Sequence, residues 1–186
     1  MTPPFRLAFG RAARNSTIGA AVIAVVAAGP LLAACGTNTL GGSPNAAAAG
    51  STATTVTTVA TVAGRTVHVP GDKPTALFFF TVGCGECAVG ARSLAQVARA
   101  AHGNADVLAV DMDPSESTQD ISGFLTSVDA AGLPAAIDTG AALTQRFGIG
   151  ALSTLIVIDP SGSVTYRATD PSAQAITTAL HHAGAR

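Results

Sequence analysis

Between Thr75 and Val82 the chain reads Thr-Ala-Leu-Phe-Phe-Phe-Thr-Val, without a charge and without polar alternation, and it halts at Gly83-Cys84-Gly85-Glu86-Cys87. A strand with one face in water alternates apolar and polar residues, so an unbroken apolar run bounded by Lys73-Pro74 and Gly83 is predicted to be a central strand covered on both faces. Such strands belong to parallel sheets layered between helices. From Cys84 to Ala101 the apolar positions Val89, Leu94, Val97 and Ala101 recur at helical spacing, and His102-Gly103-Asn104 supplies the stop. The motif Cys84-x-x-Cys87 therefore falls where a buried strand meets the start of a helix.

The remaining pattern extends the same architecture. Arg65–Val69 reads as a short strand entering a Pro70-Gly71-Asp72 turn, and Asp106–Val110 as a strand after the first helix. Ile121, Phe124, Leu125 and Val128 form one apolar helical stripe, and Ala141–Phe147 suggests a short helix. Leu152–Ile158 is a second apolar strand, Asp159-Pro160-Ser161-Gly162 a turn, and Ser163–Ala168 an alternating edge strand. Asp170 is expected to cap a last helix, with Pro171 at its first position and Ile176, Leu180 and Ala183 on its buried face. The sum is an α/β fold with a central mixed β-sheet flanked by helices, a parallel βαβ unit early and an antiparallel hairpin late.

The N-terminal third has a different composition. Residues 1–34 hold Arg6, Arg11 and Arg14, no acid, and then 17 uncharged residues from Ile18 to Ala34, the layout of a secretory signal. The run ends in Leu32-Ala33-Ala34-Cys35, which resembles the bacterial lipobox; that resemblance implies lipidation of Cys35 and cleavage just before it. An uncleaved anchor is the other reading, since about 17 to 25 apolar residues span a bilayer. Both readings place the domain at the extracytoplasmic face of the cell membrane. Residues 35–62 are Gly, Ser, Thr, Ala, Asn and Pro with hardly any large apolar side chain, and they are expected to form a flexible tether that leaves residues 63–186 as the domain.

From residue 35 onward seven basic residues stand against eleven acidic ones, a formal charge near −4, which excludes a nucleic-acid partner as the basis of function. If Cys35 carries lipid, two thiols remain, an even number in a compartment where disulfides persist. At a helix start a thiol meets unpaired N–H groups and the positive end of the helix dipole, and both lower a thiolate's pKa. Cys84 is then the expected nucleophile and Cys87 the resolving thiol. Glu86 places a negative charge between them, which opposes thiolate formation and favours a reducing pair.

Three stretches together resemble the thioredoxin superfamily, in particular its exported TlpA-like and ResA-like disulfide reductases, over residues 63–186. They are the strand, Cys-x-x-Cys and helix unit; Gly132-Leu133-Pro134 with Ile137-Asp138; and the run from Arg146-Phe147-Gly148 through Leu152-Ser153-Thr154 to Asp159-Pro160-Ser161-Gly162. The resemblance implies a thioredoxin-like fold, no cofactor beyond the two cysteines, no metal, thiols or disulfides of exported proteins as substrates, and an electron donor that the residues do not identify. It also implies that Leu152 and Ser153 border the substrate. Ser153 stands where the family has a cis-proline; a non-proline cis bond costs about 2.5 to 4 kcal/mol, so Leu152–Ser153 is expected to be trans. Val82-Gly83 replaces the family's tryptophan, and Phe78 stands where thioredoxins bury a carboxylate that moves protons.

Other readings of the same residues stay open. Cys84 and Cys87 could be a stabilising disulfide, although so short a loop gains little by closure; a non-catalytic binding module or a metal-binding lipoprotein could use the same cysteines. A structural zinc site wants about four ligands where one Cys-x-x-Cys supplies two. Ser153→Pro should separate redox from binding readings, because turnover should survive it only in the first. His68, His102, His181 and His182 read as surface residues, and Asp111, Asp113 and Glu116 as a solvated loop without the glycine and terminal glutamate of a calcium loop.

Overall fold

The computed structural model describes residues 55–186. Residues 1–34, Cys35 and the tether up to residue 54 lie outside the described residues. Among the described residues seven strands, four α-helices and one turn of 3-10 helix (Thr139–Ala141, before α3) follow one another: β1 (Thr57–Ala60), β2 (Thr66–Val69), β3 (Thr75–Phe80), α1 (Cys87–Ala100), β4 (Asp106–Asp111), α2 (Thr118–Ser127), β5 (Ala135–Ile137), α3 (Ala142–Arg146), β6 (Thr154–Ile158), β7 (Val164–Thr169) and α4 (Ala173–His182). Among the described residues no helix is long and apolar enough to cross a membrane.

The main sheet has the order β5-β4-β3-β6-β7. β3 lies parallel to β4 in register from Thr75–Asp106 to Phe80–Asp111, and antiparallel to β6. This is the expected mixed sheet, with β3 at its centre, β3-α1-β4 as the parallel crossover and β6-β7 as the hairpin. Every residue of β3 is buried. Its unbroken apolar character has a simple cause: Ala76, Phe78 and Phe80 enter one core with α1 and α4, while Leu77 and Phe79 enter a second with α3 and Ile149.

Two strands were not legible in the sequence. β1 lies inside the segment read as tether; it pairs antiparallel with β2, and the Arg146 guanidinium donates to Thr57 Oγ1 at 2.7 Å and to the Val69 carbonyl at 2.9 Å. Thr-Thr-Val-Ala has too little apolar signal to be recognised, and the pairing with β2 supplies what its own side chains lack. The folded unit therefore begins before residue 63. β5 is three residues long and is defined by its parallel pairing with β4. The helix cap also differs from expectation. Ser172, not Asp170, is the N-cap of α4 and accepts from the Ala175 N–H, which leaves the Asp170 side chain for another partner.

Gly90 decides how closely α1 approaches the sheet. A Cβ there would lie 2.4 and 2.5 Å from Cε2 and Cζ of Phe78 and 3.3 Å from Ser153 Oγ. The Phe78 ring is fully buried and stacks on Phe80, whose ring stacks in turn on Phe124 of α2. Phe78 and Phe80 have no exposed surface, so the ring beneath Gly90 cannot swing out to water. In an open helix glycine to alanine is stabilising by up to about 1 kcal/mol; here overpacking reverses the sign, and Gly90→Ala is expected to cost about 2 kcal/mol in urea unfolding.

Candidate thiol site at the first helix

The chain leaves β3 through a turn closed by the Cys84 N–H on the Thr81 carbonyl at 3.1 Å, then bends directly into α1. Glu86 occupies the N-cap position without a side-chain cap, so nothing from its carboxylate competes for the first N–H groups. The Cys87 N–H donates to Cys84 Sγ at 3.1 Å. Cys84 and Cys87 are joined in a disulfide, with S–S 2.05 Å and Cα atoms 5.3 Å apart. Cys84 is half-buried and Cys87 has no exposed surface. The helix start thus aims an N–H at the more accessible sulfur and hides the other in the core.

The other expected site residues sit on the turn before β6. Leu152 is exposed, and Ser153 beside it is buried with its Oγ within reach of Gly90, one helical turn beyond Cys87. The Leu152–Ser153 peptide is trans; the cis peptide of the described residues is Val69–Pro70. Ser153 adopts φ +58°, and Asp170 at the end of β7 adopts φ +51°. The two are tied twice: the Asp170 N–H donates to the Ser153 carbonyl at 3.0 Å, and the Ser153 hydroxyl donates to Asp170 Oδ1. Where the family places a proline ring, this chain places a left-handed serine held by an aspartate that the sequence assigned to a helix cap.

The loop after β4 is solvated as expected at Pro114, Ser115 and Ser117, but its first acid is not. Asp111, the last residue of β4, has no exposed surface. Its Oδ1 accepts the Asp113 N–H at 3.1 Å, while Oδ2 is buried with no donor. Burial, reinforced by the negative charge of Glu116, pushes its carboxyl up to about 7. Glu116 turns back toward β3, and both its carboxylate oxygens lie 2.9 Å from the Val82 N–H, two residues before Cys84. Asp113 is half-buried, and the Ser115 hydroxyl and N–H hold it below the usual carboxylate range. The signal for Asp111 lay in the strand: residues of β4 alternate, and Asp111 continues the set of Val107 and Ala109 that faces α1. The four histidines are exposed, as read. Among the described residues no three His, Cys, Asp or Glu side chains gather as metal ligands.

Known proteins bear on this geometry. The Redoxin family model matches residues 43–180. A Streptomyces lividans protein described as mercury resistance operon ORF3 is 57% identical over 150 residues, covering 79% of this chain and 77% of that protein. Among solved structures, StoA from Bacillus subtilis superposes with a TM-score of 0.60 at 19% identity over 67% of this chain and 96% of its own. The exposed lipoprotein thioredoxin Etrx1 of Streptococcus pneumoniae gives 0.60 at 21% identity over 69% and 99%. A secreted Mycobacterium tuberculosis disulfide oxidoreductase gives 0.56 at 17% identity over 68% and 95%. The fold is thioredoxin-like, and with a family match that takes in nearly all of the folded residues, the chain belongs to the Redoxin family.

Proposed function

We propose that this protein is a membrane-tethered thiol-disulfide oxidoreductase working outside the cytoplasm, with Cys84 as nucleophile, Cys87 as resolving thiol and lipid on Cys35 as the anchor. The observation that carries the redox reading is the asymmetry of the pair: a half-buried Cys84 sulfur that receives the Cys87 N–H, joined to a fully buried Cys87. In the reduced protein that N–H and the α1 dipole stabilise the Cys84 thiolate. The thiolate attacks a substrate disulfide; one substrate sulfur leaves with a proton, and a mixed disulfide forms at Cys84. Cys87, losing its proton, then attacks Cys84 Sγ, releasing the second substrate sulfur as a thiol and restoring the disulfide. Two electrons pass to the substrate, and an external donor must return them. Leu152 offers an exposed apolar contact beside the site, and Ser153 holds that turn in place. The secreted oxidoreductase and the exposed lipoprotein thioredoxin among similar folds support the placement and the anchor.

An equilibrium titration of the full chain against glutathione or dithiothreitol, read by alkylation and mass, tests this. A reversible two-electron transition in the range of reducing thioredoxins is expected, with Glu86 disfavouring the thiolate form. A disulfide that never exchanges with small thiols would reduce the pair to a structural crosslink, and a potential near that of strong oxidants would sink the reductase direction.

A second reading has its own support. The relative from a mercury resistance operon and the absence of a proline ring at Ser153 favour capture of a soft metal ion by the reduced thiols, since thiolates prefer such ions. Reduced protein should then bind one Hg(II) in competition with glutathione and Cys84→Ser should not; equal binding by both would discard it.

A further inference from the structure

Glu116 and Asp111 have no part in the exchange steps above, yet they are joined to the loop that delivers Cys84. The span from Phe80 to Cys84 is fixed at three points: the Met112 N–H on the Phe80 carbonyl at 2.8 Å, the Cys84 N–H on the Thr81 carbonyl, and between them the Val82 N–H on Glu116. The first two are backbone bonds within or beside the sheet. The third is made by a side chain from the loop after β4, 34 residues away in sequence.

That side chain stands against a buried acid. Asp111 Oδ2 is sealed from water and faces no donor, an arrangement that a carboxylate tolerates poorly and a protonated carboxyl satisfies by donating to a neighbouring acceptor. Glu116 follows Asp111 by five residues, in the loop after β4, and its negative charge adds to burial in raising the Asp111 carboxyl. The surroundings offer no cation to take the proton's place. β3 contributes Phe80 opposite Asp111 and no titratable group, and β5 contributes none. Asp138, beyond β5, donates its N–H to the Asp111 carbonyl but spends its carboxylate on the Leu143 and Thr144 N–H groups. In the adjoining loop Asp113 is taken by Ser115, in α2 Asp120 by Ser117, and in α1 the Arg92 guanidinium by the Val128 carbonyl.

We propose that Glu116 is a positioning residue for the Cys84–Cys87 pair: it clamps the Val82 N–H, and a proton shared with buried Asp111 holds the clamp closed. This rests on the redox reading of the two cysteines. With the proton present the pair carries one charge, Glu116 stays against Val82, and Cys84 is held at the start of α1 where the Cys87 N–H reaches its sulfur. Without the proton two carboxylates face each other, and half-buried Glu116, the one on a loop, turns to water and frees the Val82 N–H. Cys84 then loses its alignment with the helix start, and the accessible sulfur that a reductant attacks, with Cys87 leaving, is no longer held in place for displacement. The device makes the thiol site sensitive to pH near neutrality through groups that never touch a substrate.

The test is the rate at which tris(carboxyethyl)phosphine reduces the disulfide of the full-length chain, from pH 5.5 to 8.5, each variant taken as a ratio to the parent so that the reductant's own titration cancels. Asp111→Asn mimics the protonated acid, because its amide donates to Glu116 at every pH. Its ratio is expected near 1 at pH 5.5 and to rise about threefold by pH 8.5, as the parent's clamp opens. Glu116→Ala is expected about fivefold slower than the parent at pH 5.5 and to approach it at pH 8.5. In the parent itself the Val82 amide resonance should shift through a transition near pH 7, a readout that needs no variant to fold. Ratios flat in pH, or a Val82 amide unmoved across the range, would overturn the clamp while leaving the redox reading standing. A parent disulfide that the phosphine and small thiols both fail to open would overturn the two together.

Discussion

Replacing Cys84 by serine is expected to take disulfide reductase turnover to the uncatalysed background, while Cys87→Ala should still attack substrate once and stop there. The difference follows from access. Cys84 is the half-buried sulfur and the one that receives an N–H from the helix start, whereas Cys87 lies wholly inside the core with Phe78 and Phe80. Serine at position 84 brings no sulfur to the site, so no mixed disulfide can form there. With alanine at position 87 the mixed disulfide forms and nothing within the chain can release it. Alanine serves better than serine there, because a buried hydroxyl without a partner costs roughly 1 to 3 kcal/mol and would confuse a loss of stability with a loss of chemistry. The measurement is the intact mass of each variant after incubation with an oxidised peptide, with and without excess thiol. One peptide retained per Cys87→Ala chain is the expected result; turnover by either variant at the parent's rate would assign the chemistry elsewhere.

The second large effect is expected at Ser153. From the sequence, Ser153→Pro looked like a conservative return to the family's residue. The backbone makes it the reverse. Proline fixes φ near −65°, and Ser153 sits at φ +58°. The ring therefore cannot replace the hydroxyl on an unchanged chain; either the turn before β6 rebuilds, with the Asp170 bonds lost, or the domain gives way. A loss of about 3 kcal/mol or more is expected in urea unfolding. Ser153→Gly separates the two components, since glycine accepts a positive φ freely while forfeiting only the hydrogen bond to Asp170; it should stay within about 1 kcal/mol of the parent. A Ser153→Pro variant as stable as the parent would show that the turn reaches the family's cis arrangement at little cost. The swap thus measures backbone compatibility first and chemistry only afterwards, and it does not separate redox from binding readings as the residue types alone suggested.

Several parts of this protein follow from local chemistry that any reader of the chain can apply. The placement of β3 at the centre of the sheet follows from Leu77 to Phe80, because only a strand covered on both faces keeps every position dry. The edge position of β7 follows from alternation in Ser163–Ala168, the turn before it from Asp159-Pro160-Ser161-Gly162, and the thiols at a helix start from the spacing of Cys84 and Cys87 after that strand. Each depends on neighbours within a few residues, and periodicity carries that information.

What needed the folded chain depends on partners far apart in sequence. β1 became a strand because β2 and Arg146 hold it, and β5 because β4 does. Gly90 mattered only once the Phe78 ring was found beneath it, 12 positions back. Asp170 was assigned to a helix that Ser172 caps, and was free to bind Ser153 instead. Asp111 looked like one acid among three in a wet loop; the sheet's register placed it opposite Phe80, away from water, and the return of Glu116 to Val82 tied it to the cysteine loop. Composition and spacing established an α/β domain with two cysteines at a helix start. Tertiary packing alone decided which groups lost their water, and desolvation is what turns an ordinary aspartate into one that holds its proton near neutrality.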